Sequence, residues 1–285
     1  MRVPFRLVDV FAERPLAGNQ LCVIPEPVDL PTEAMQALAL EIGFSETTFV
    51  TQAGGDRYAM RIFTPAFELP FAGHPTLGTA FVLVSEKLVT SPCILSVAAG
   101  EISLEVDVPG AFARMRQLPP EFGPEVGDLA RVARAVGLPE DDLHPELRPQ
   151  VVSTGLPHLM VPAQSPESVA RARPDPESLL PLLDSCGGGG LYLFSATGDE
   201  AKARMFAAGV GVDEDPATGS AAGPLGAYLA ERGIISSGRL TISQGVELGR
   251  PSSLLVDVEA DGRSWTVHVG GGVYVVGEGA FDVAL

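Results

Sequence analysis

At 285 residues, with 46% hydrophobic side chains, 32 glycines and 25 prolines, the chain can bury one large core or two moderate ones, and it is far from a disordered or collagen-like composition. A formal charge of −17 argues against nucleic acid or an anionic membrane surface as a partner, although a small anion can still be held by local donors such as helix N-termini. Cys22, Cys93 and Cys186 are odd in number and widely spaced, which argues against a disulfide framework and fits a reducing, cytoplasmic setting.

The opening run MRVPFRLVDVFAERP is charged throughout and lacks the apolar stretch of a signal peptide. Phe5 and Leu7 flank Arg6, and Val8 and Val10 flank Asp9, as expected for a first strand. PTEAMQALALEIG reads as a helix with Met35, Leu38 and Ile42 on one face and Gly43 as its stop. FSETTFV and RYAMRIFTP follow as strands, and a second helix is expected to start at His74-Pro75, because proline suits a first helical turn. SLEVDVPG and ARMRQLPP add two more strands. No segment approaches the roughly 18 uninterrupted apolar residues of a membrane span.

The plan then repeats. GDLARVARAVG spaces Leu129, Val132 and Val136 like Met35, Leu38 and Ile42 and again ends in glycine. PATGSAAGPLGAYLAERG is a small-residue helix start similar in character to FAGHPTLGTAFVL. Two correspondences in one order predict an internal duplication, hence a mixed α+β chain of two similar domains. The Pro-rich segment 117–124 is the expected linker, and the glycines at 270–272 mark a second boundary. The domains are therefore expected at residues 1–117 with 273–285, and at 118–272, with the last strand returning to the first domain.

Glu46 stands among aromatic and β-branched residues, sharing a strand face with Phe44, Thr48 and Val50. Apolar neighbours favour the neutral carboxyl and raise its pKa toward a range useful for proton transfer. By position alone, an outward edge-strand charge that discourages aggregation is the commoner case. His74, after Gly73, lies where a helix N-terminus would offer amides and positive potential to a ligand carboxylate; an ordinary capping histidine fits equally well. Asp215, Gly219 and Ser220, in DEDPATGSAA, form a second such helix opening, for which routine capping is the commoner explanation.

Other chemistries lack their motifs. Lys87 and Lys202, the only lysines, sit in no Schiff-base setting. His74, His144, His158 and His268 show no metal-ligand spacing, and no dinucleotide, P-loop or nucleophile-elbow glycine pattern is present. No metal and no cofactor are expected. An acid or base with two helix-start anion sites suits moving a proton beside a carboxylate.

The strings VDVFAERPLAGNQLCV, GFSETTFV, RIFTPAFELPFAGHPTLGTA, STGLPHLMVP, DEDPATGSAAGPLGAYL and SQGVELGRPS resemble, in order, blocks of the PhzF-like (phenazine biosynthesis isomerase) family over essentially the whole chain. The resemblance implies the diaminopimelate epimerase fold: two pseudo-symmetric domains, each a curved, mostly antiparallel sheet around a central helix, with the site in the cleft between them. It makes Glu46 the proton shuttle and puts His74 and Asp215 at the reacting substrate. Gly73, Gly219 and Ser220 then hold the carboxylate. It also implies a homodimer without a cofactor, acting on a small carboxylate metabolite.

Sister racemases of this fold carry a cysteine at each helix start, whereas this chain has Ala72 and the run Pro216–Thr218 there. One carboxylate acting as base and then acid therefore fits a double-bond shift better than inversion. A metabolite-binding protein retaining the same cleft is the competing expectation, and an epimerase a weaker one. Gln20 stands where the family usually has proline.

Overall fold

The computed structural model describes residues 1–97, 100–207, 213–235 and 238–283, and the chain divides into two compact units, residues 1–116 with 270–285 and residues 117–269. The first unit runs β1 (Arg2–Val10), β2 (Asn19–Ile24), α1 (Thr32–Ile42), β3 (Glu46–Gly54), β4 (Arg57–Phe63), β5 (Glu68–Leu69), α2 (Gly73–Ser85), β6 (Cys93–Val97), β7 (Gly100–Asp107) and β8 (Phe112–Arg116). The second runs β9 (Glu121–Glu125), α3 (Leu129–Ala135), β10 (Gln150–Ser153), β11 (Pro157–Pro162), α4 (Pro166–Arg171), α5 (Pro176–Cys186), β12 (Leu191–Thr197), β13 (Glu200–Phe206), β14 (Glu214–Asp215), α6 (Gly219–Glu231), β15 (Arg239–Gln244) and β16 (Ser252–Asp261). A long last strand, β17 (Ser264–Asp282), returns to the first unit and pairs antiparallel with β1, from Val10↔Val273 to Arg2↔Asp282.

The pairing pattern repeats between units. In the first, β1–β2 is antiparallel, β2–β3 parallel, β3–β4 antiparallel and β4–β6 parallel. In the second, β10–β11, β11–β12, β12–β13 and β13–β15 follow the same sequence of directions. Each unit also carries a two-residue strand, β5 or β14, immediately before its main helix. The fold is thus α+β, with one duplicated plan.

The main helices, α2 and α6, are the centres of their units. Residues 73–83 of α2 and 219–229 of α6 are all buried, and α2 packs against β1, β2, β3, β7 and β8, while α6 packs against β10, β11, β15 and β16. A helix that is apolar or small all round has no solvent face, so a sheet must curl around it. Small residues permit the close approach: a Cβ on Gly78 would fall 2.6 Å from Leu21 Cδ2 and 2.8 Å from Val10 Cγ2.

The outer helices pack differently. α1 buries Met35, Leu38 and Ala39 against Cys22, Ile24, Phe49 and Phe63, on the sheet face away from α2. Its end follows from Gly43, which takes the left-handed conformation at φ 67° and donates to the Ala39 carbonyl.

Three expectations need correction. The helix predicted at GDLARVARAVG exists as α3, but it precedes β10 and so is not the counterpart of α1, which lies between β2 and β3. The helices in the equivalent place are α4 and α5, and α5 also ends on a left-handed glycine, Gly187. A Leu/Val stripe closed by glycine reports an amphipathic helix, not its place in a fold. The segment 117–124 is not a free linker either: Gln117 is buried, and Glu121–Glu125 pairs with β10. Finally, Glu46 is not an edge-strand charge, because β3 lies between β2 and β4.

Candidate active site

Glu46 is the first residue of β3, opposite Leu21 of the parallel neighbour β2. Thr48, two residues on and hence on the same face, hydrogen-bonds Thr79 of α2 at 2.8 Å, so this face looks onto the central helix. Phe44 is not part of that face: it precedes the strand and packs with the α1 core. The Glu46 side chain is 15% exposed, and burial pushes its carboxyl up to about 7, with a hydrogen bond from Ser45 opposing the rise. Its Oε2 is buried without a hydrogen-bond partner, and His74 Nε2 lies 3.5 Å away, beyond a good hydrogen bond.

His74 sits in the first turn of α2 and is 4% exposed. Its Nδ1 is 3.1 Å from Asn19 Nδ2, while Asn19 Oδ1 accepts from the Ser45 hydroxyl at 3.1 Å. The Asn19 amide therefore donates to Nδ1, which places the imidazole hydrogen on Nε2. That N–H faces the Gln20 carbonyl at 3.3 Å and the Glu46 carboxyl. Ala72, ahead of the helix, makes no side-chain capping bond, and a helix's first amides have no partner within the helix.

In the second unit, Asp215 ends β14 opposite Met205. Its carboxylate accepts from the Thr218 hydroxyl. Buried Gln244 locks this turn: its amide donates to the Asp215 carbonyl at 2.8 Å and to Thr218 Oγ1 at 3.1 Å. Its carbonyl accepts from the Thr218 N–H at 3.2 Å and the Tyr192 hydroxyl at 2.8 Å. Thr218 precedes α6 without making a side-chain capping bond, so capping is not what this segment's hydroxyl is used for. Ser220, in the first turn and 8% exposed, is 3.1 Å from His158 Nε2. Gly219 is held through its carbonyl by Gln117 Nε2 at 2.9 Å.

The structure thus joins Glu46, Gly73 and His74 at the start of α2, and Asp215, Gly219 and Ser220 at the start of α6. Sequence reasoning on single residues passed over Asn19, Ser45, Gln117, His158 and Gln244. Most lie within the family-like blocks, but their role is to orient neighbours, which only spatial contacts reveal. The three cysteines are remote from both helix starts in sequence, and burial pushes Cys22 up to about 12 and Cys93 up to about 11. They are inert as thiolates near neutrality. Among the described residues no His/Cys/Asp/Glu group is disposed to hold a metal, and no helix is long and apolar enough to cross a membrane.

Residues 8–279 match the family model described as phenazine biosynthesis-like protein. The chain is 36% identical over 279 residues to trans-2,3-dihydro-3-hydroxyanthranilate isomerase of Pseudomonas fluorescens, covering 96% of this chain and 97% of that protein. It superposes with a TM-score of 0.88 on a predicted epimerase of Pseudomonas aeruginosa, 37% identical, covering 99% of this chain and 100% of that one. A probable proline racemase of Agrobacterium radiobacter shares the fold alone, at 12% identity and a TM-score of 0.69 over 99% of this chain and 93% of that one. With the match running through both units and both helix starts, the chain belongs to the phenazine biosynthesis-like (PhzF) family and is an isomerase.

Proposed function

We propose that the protein shifts a double bond in a small cyclic carboxylate of the trans-2,3-dihydro-3-hydroxyanthranilate type, with Glu46 removing a proton from one carbon and returning it to another. The observation that carries this reading is the Glu46 carboxyl: buried, with one oxygen unpartnered, and near 7, where it can both accept and release a proton at neutral pH. His74, with its hydrogen on Nε2, orients a polar substituent beside Glu46, as does Asp215. The amides of Gly73 and Gly219 and the Ser220 hydroxyl bind the carboxylate. Neither helix start carries a thiol, which disfavours a two-cysteine racemization. No cofactor enters the scheme.

The test is incubation with trans-2,3-dihydro-3-hydroxyanthranilate in heavy water, followed by NMR. Isomerised product with deuterium at the new C–H position, or diluted only by internal return, is expected. Binding without conversion would overturn the reading in favour of a metabolite-binding protein, and inversion at an sp3 carbon without a double-bond shift would favour an epimerase.

Because abstraction needs the ionised carboxylate, kcat/KM should rise as pH passes through about 7. The Ser45 hydroxyl lowers the Glu46 pKa to the extent that it turns from Asn19 Oδ1 to the carboxylate, so Ser45→Ala should move this rise to higher pH. A pH–rate profile of the two proteins checks it, and an unmoved or lowered midpoint counts against the assignment.

A further inference from the structure

His158 is a buried titratable group that the proposed mechanism leaves unused. It lies on β11, is 5% exposed, and its Nε2 is 3.1 Å from Ser220 Oγ at the start of α6. Its Nδ1 is buried and has no hydrogen-bond partner. The other side of the ring is closed by the backbone at Gly190, where even a Cβ would come within 3.5 Å of Nδ1. Burial pulls the imidazole down to about 4, so it is neutral under physiological conditions and carries a single hydrogen.

That hydrogen has two possible places, with opposite consequences for Ser220. On Nδ1 it would be a buried N–H with no acceptor, and the Ser220 hydroxyl would spend its only hydrogen on Nε2. On Nε2 it is satisfied by Ser220 Oγ, and what remains unpaired is only the Nδ1 lone pair. Buried donors without acceptors are rarer than under-used acceptors, so the second arrangement wins. We propose that His158 is a positioning residue: its Nε2–H donates to Ser220 Oγ, which turns the Ser220 hydroxyl hydrogen away from the protein and toward an acceptor oxygen of the ligand. Ser220 thereby becomes an obligate donor, selecting a carboxylate oxygen over an ammonium or hydroxyl hydrogen at that position. The inference rests on the assignment of Ser220 to the substrate carboxylate made above.

The first measurement needs no substrate. In protein labelled with 15N-histidine, two-bond nitrogen–proton correlations assign the tautomer of each ring, and the signal missing from His158→Gln identifies His158. A neutral ring protonated on Nε2 is expected between pH 6 and 8; protonation on Nδ1 overturns the proposal. The second measurement uses turnover of trans-2,3-dihydro-3-hydroxyanthranilate by the full chain. Ser220→Ala should raise KM by about tenfold or more, the size of one hydrogen bond to a charged group. His158→Leu should raise KM comparably with little change in kcat, and the double variant should be no worse than either single one. His158→Gln, whose amide can donate from nearly the same place, should return KM to within about threefold of the parent.

A generic packing role would leave the Gln variant as impaired as the Leu variant and make the two sites additive, which would sink the proposal. A parental KM in His158→Leu beside a raised KM in Ser220→Ala would sink it too, while sparing the carboxylate assignment. A parental KM in Ser220→Ala would remove that assignment and the proposal together. If His158→Leu does not fold, as thermal unfolding would show, the ring-nitrogen spectrum and the Gln variant still decide.

Discussion

Glu46→Gln is expected to slow proton transfer by about a thousandfold, within the range general acid–base groups contribute, with KM little changed. Glutamine keeps the shape and cannot ionise, so rapid-quench measurement of deuterium transfer isolates the chemical step. A loss below about tenfold would remove Glu46 from the proposed role. The same substitution has a stability signature whose sign follows from the raised carboxyl. Folded Glu46 titrates near 7 against an ordinary value of 4.5. Below the ordinary value both folded and unfolded chains hold the proton, and the raised pKa contributes its full stabilisation. Between 4.5 and 7 the unfolded chain has released a proton that the folded chain keeps, so stability falls as pH rises, by up to about 3 kcal/mol. Glu46→Gln lacks this term. Urea unfolding should therefore show the variant gaining on the parent between pH 4.5 and 8, and parallel pH profiles would contradict the raised carboxyl.

Arg204→Ala is the substitution expected to cost the fold most, about 3 to 5 kcal/mol, because it strands a buried carboxylate. Arg204 grips Glu214 with both prongs, Nε to Oε1 at 2.8 Å and Nη2 to Oε2 at 2.7 Å, with the side chains 5% and 13% exposed. Its remaining nitrogen donates to the Ala172 carbonyl at 2.8 Å, and the guanidinium lies 4.9 Å from the centroid of the Phe206 ring. Alanine removes all of these at once. The effect reaches the site because Glu214 and Asp215 are the whole of β14, held against β13 through Phe206 and Met205. Loss of the Arg204 anchor should thus lower activity as well as the urea midpoint, and Arg204→Ala with Glu214→Gln should recover part of the stability, since no uncompensated charge is left. A stability loss under about 1 kcal/mol in the single variant would refute this account.

Some of this was legible from residues alone. The α1 helix, its Met35 and Leu38 face and its stop at Gly43 follow from 3.6-residue periodicity and the freedom of glycine at positive φ. These are local rules that need no neighbours. The small-residue openings at Gly73 and Gly219 were also legible as helix starts, although their all-round burial erases the amphipathic stripe that marks α1. The same locality produced the mistaken correspondence of α3 with α1, because a stripe carries no address. The anchoring of segment 117–124 escapes local rules for a similar reason: prolines signal a break, whereas what engages buried Gln117 is the Gly219 carbonyl, 102 residues away.

For Glu46, residue type and strand context supplied a candidate, and the ordered blocks supplied the family. What the carboxyl can do was decided only by tertiary structure. A place at the start of β3, a strand flanked on both sides, and the helix start beneath it desolvate the group, and Asn19 sets the hydrogen of the facing His74. A pKa is a property of surroundings assembled from residues 19, 45, 46 and 74, and such surroundings exist only once distant segments of the chain are packed together.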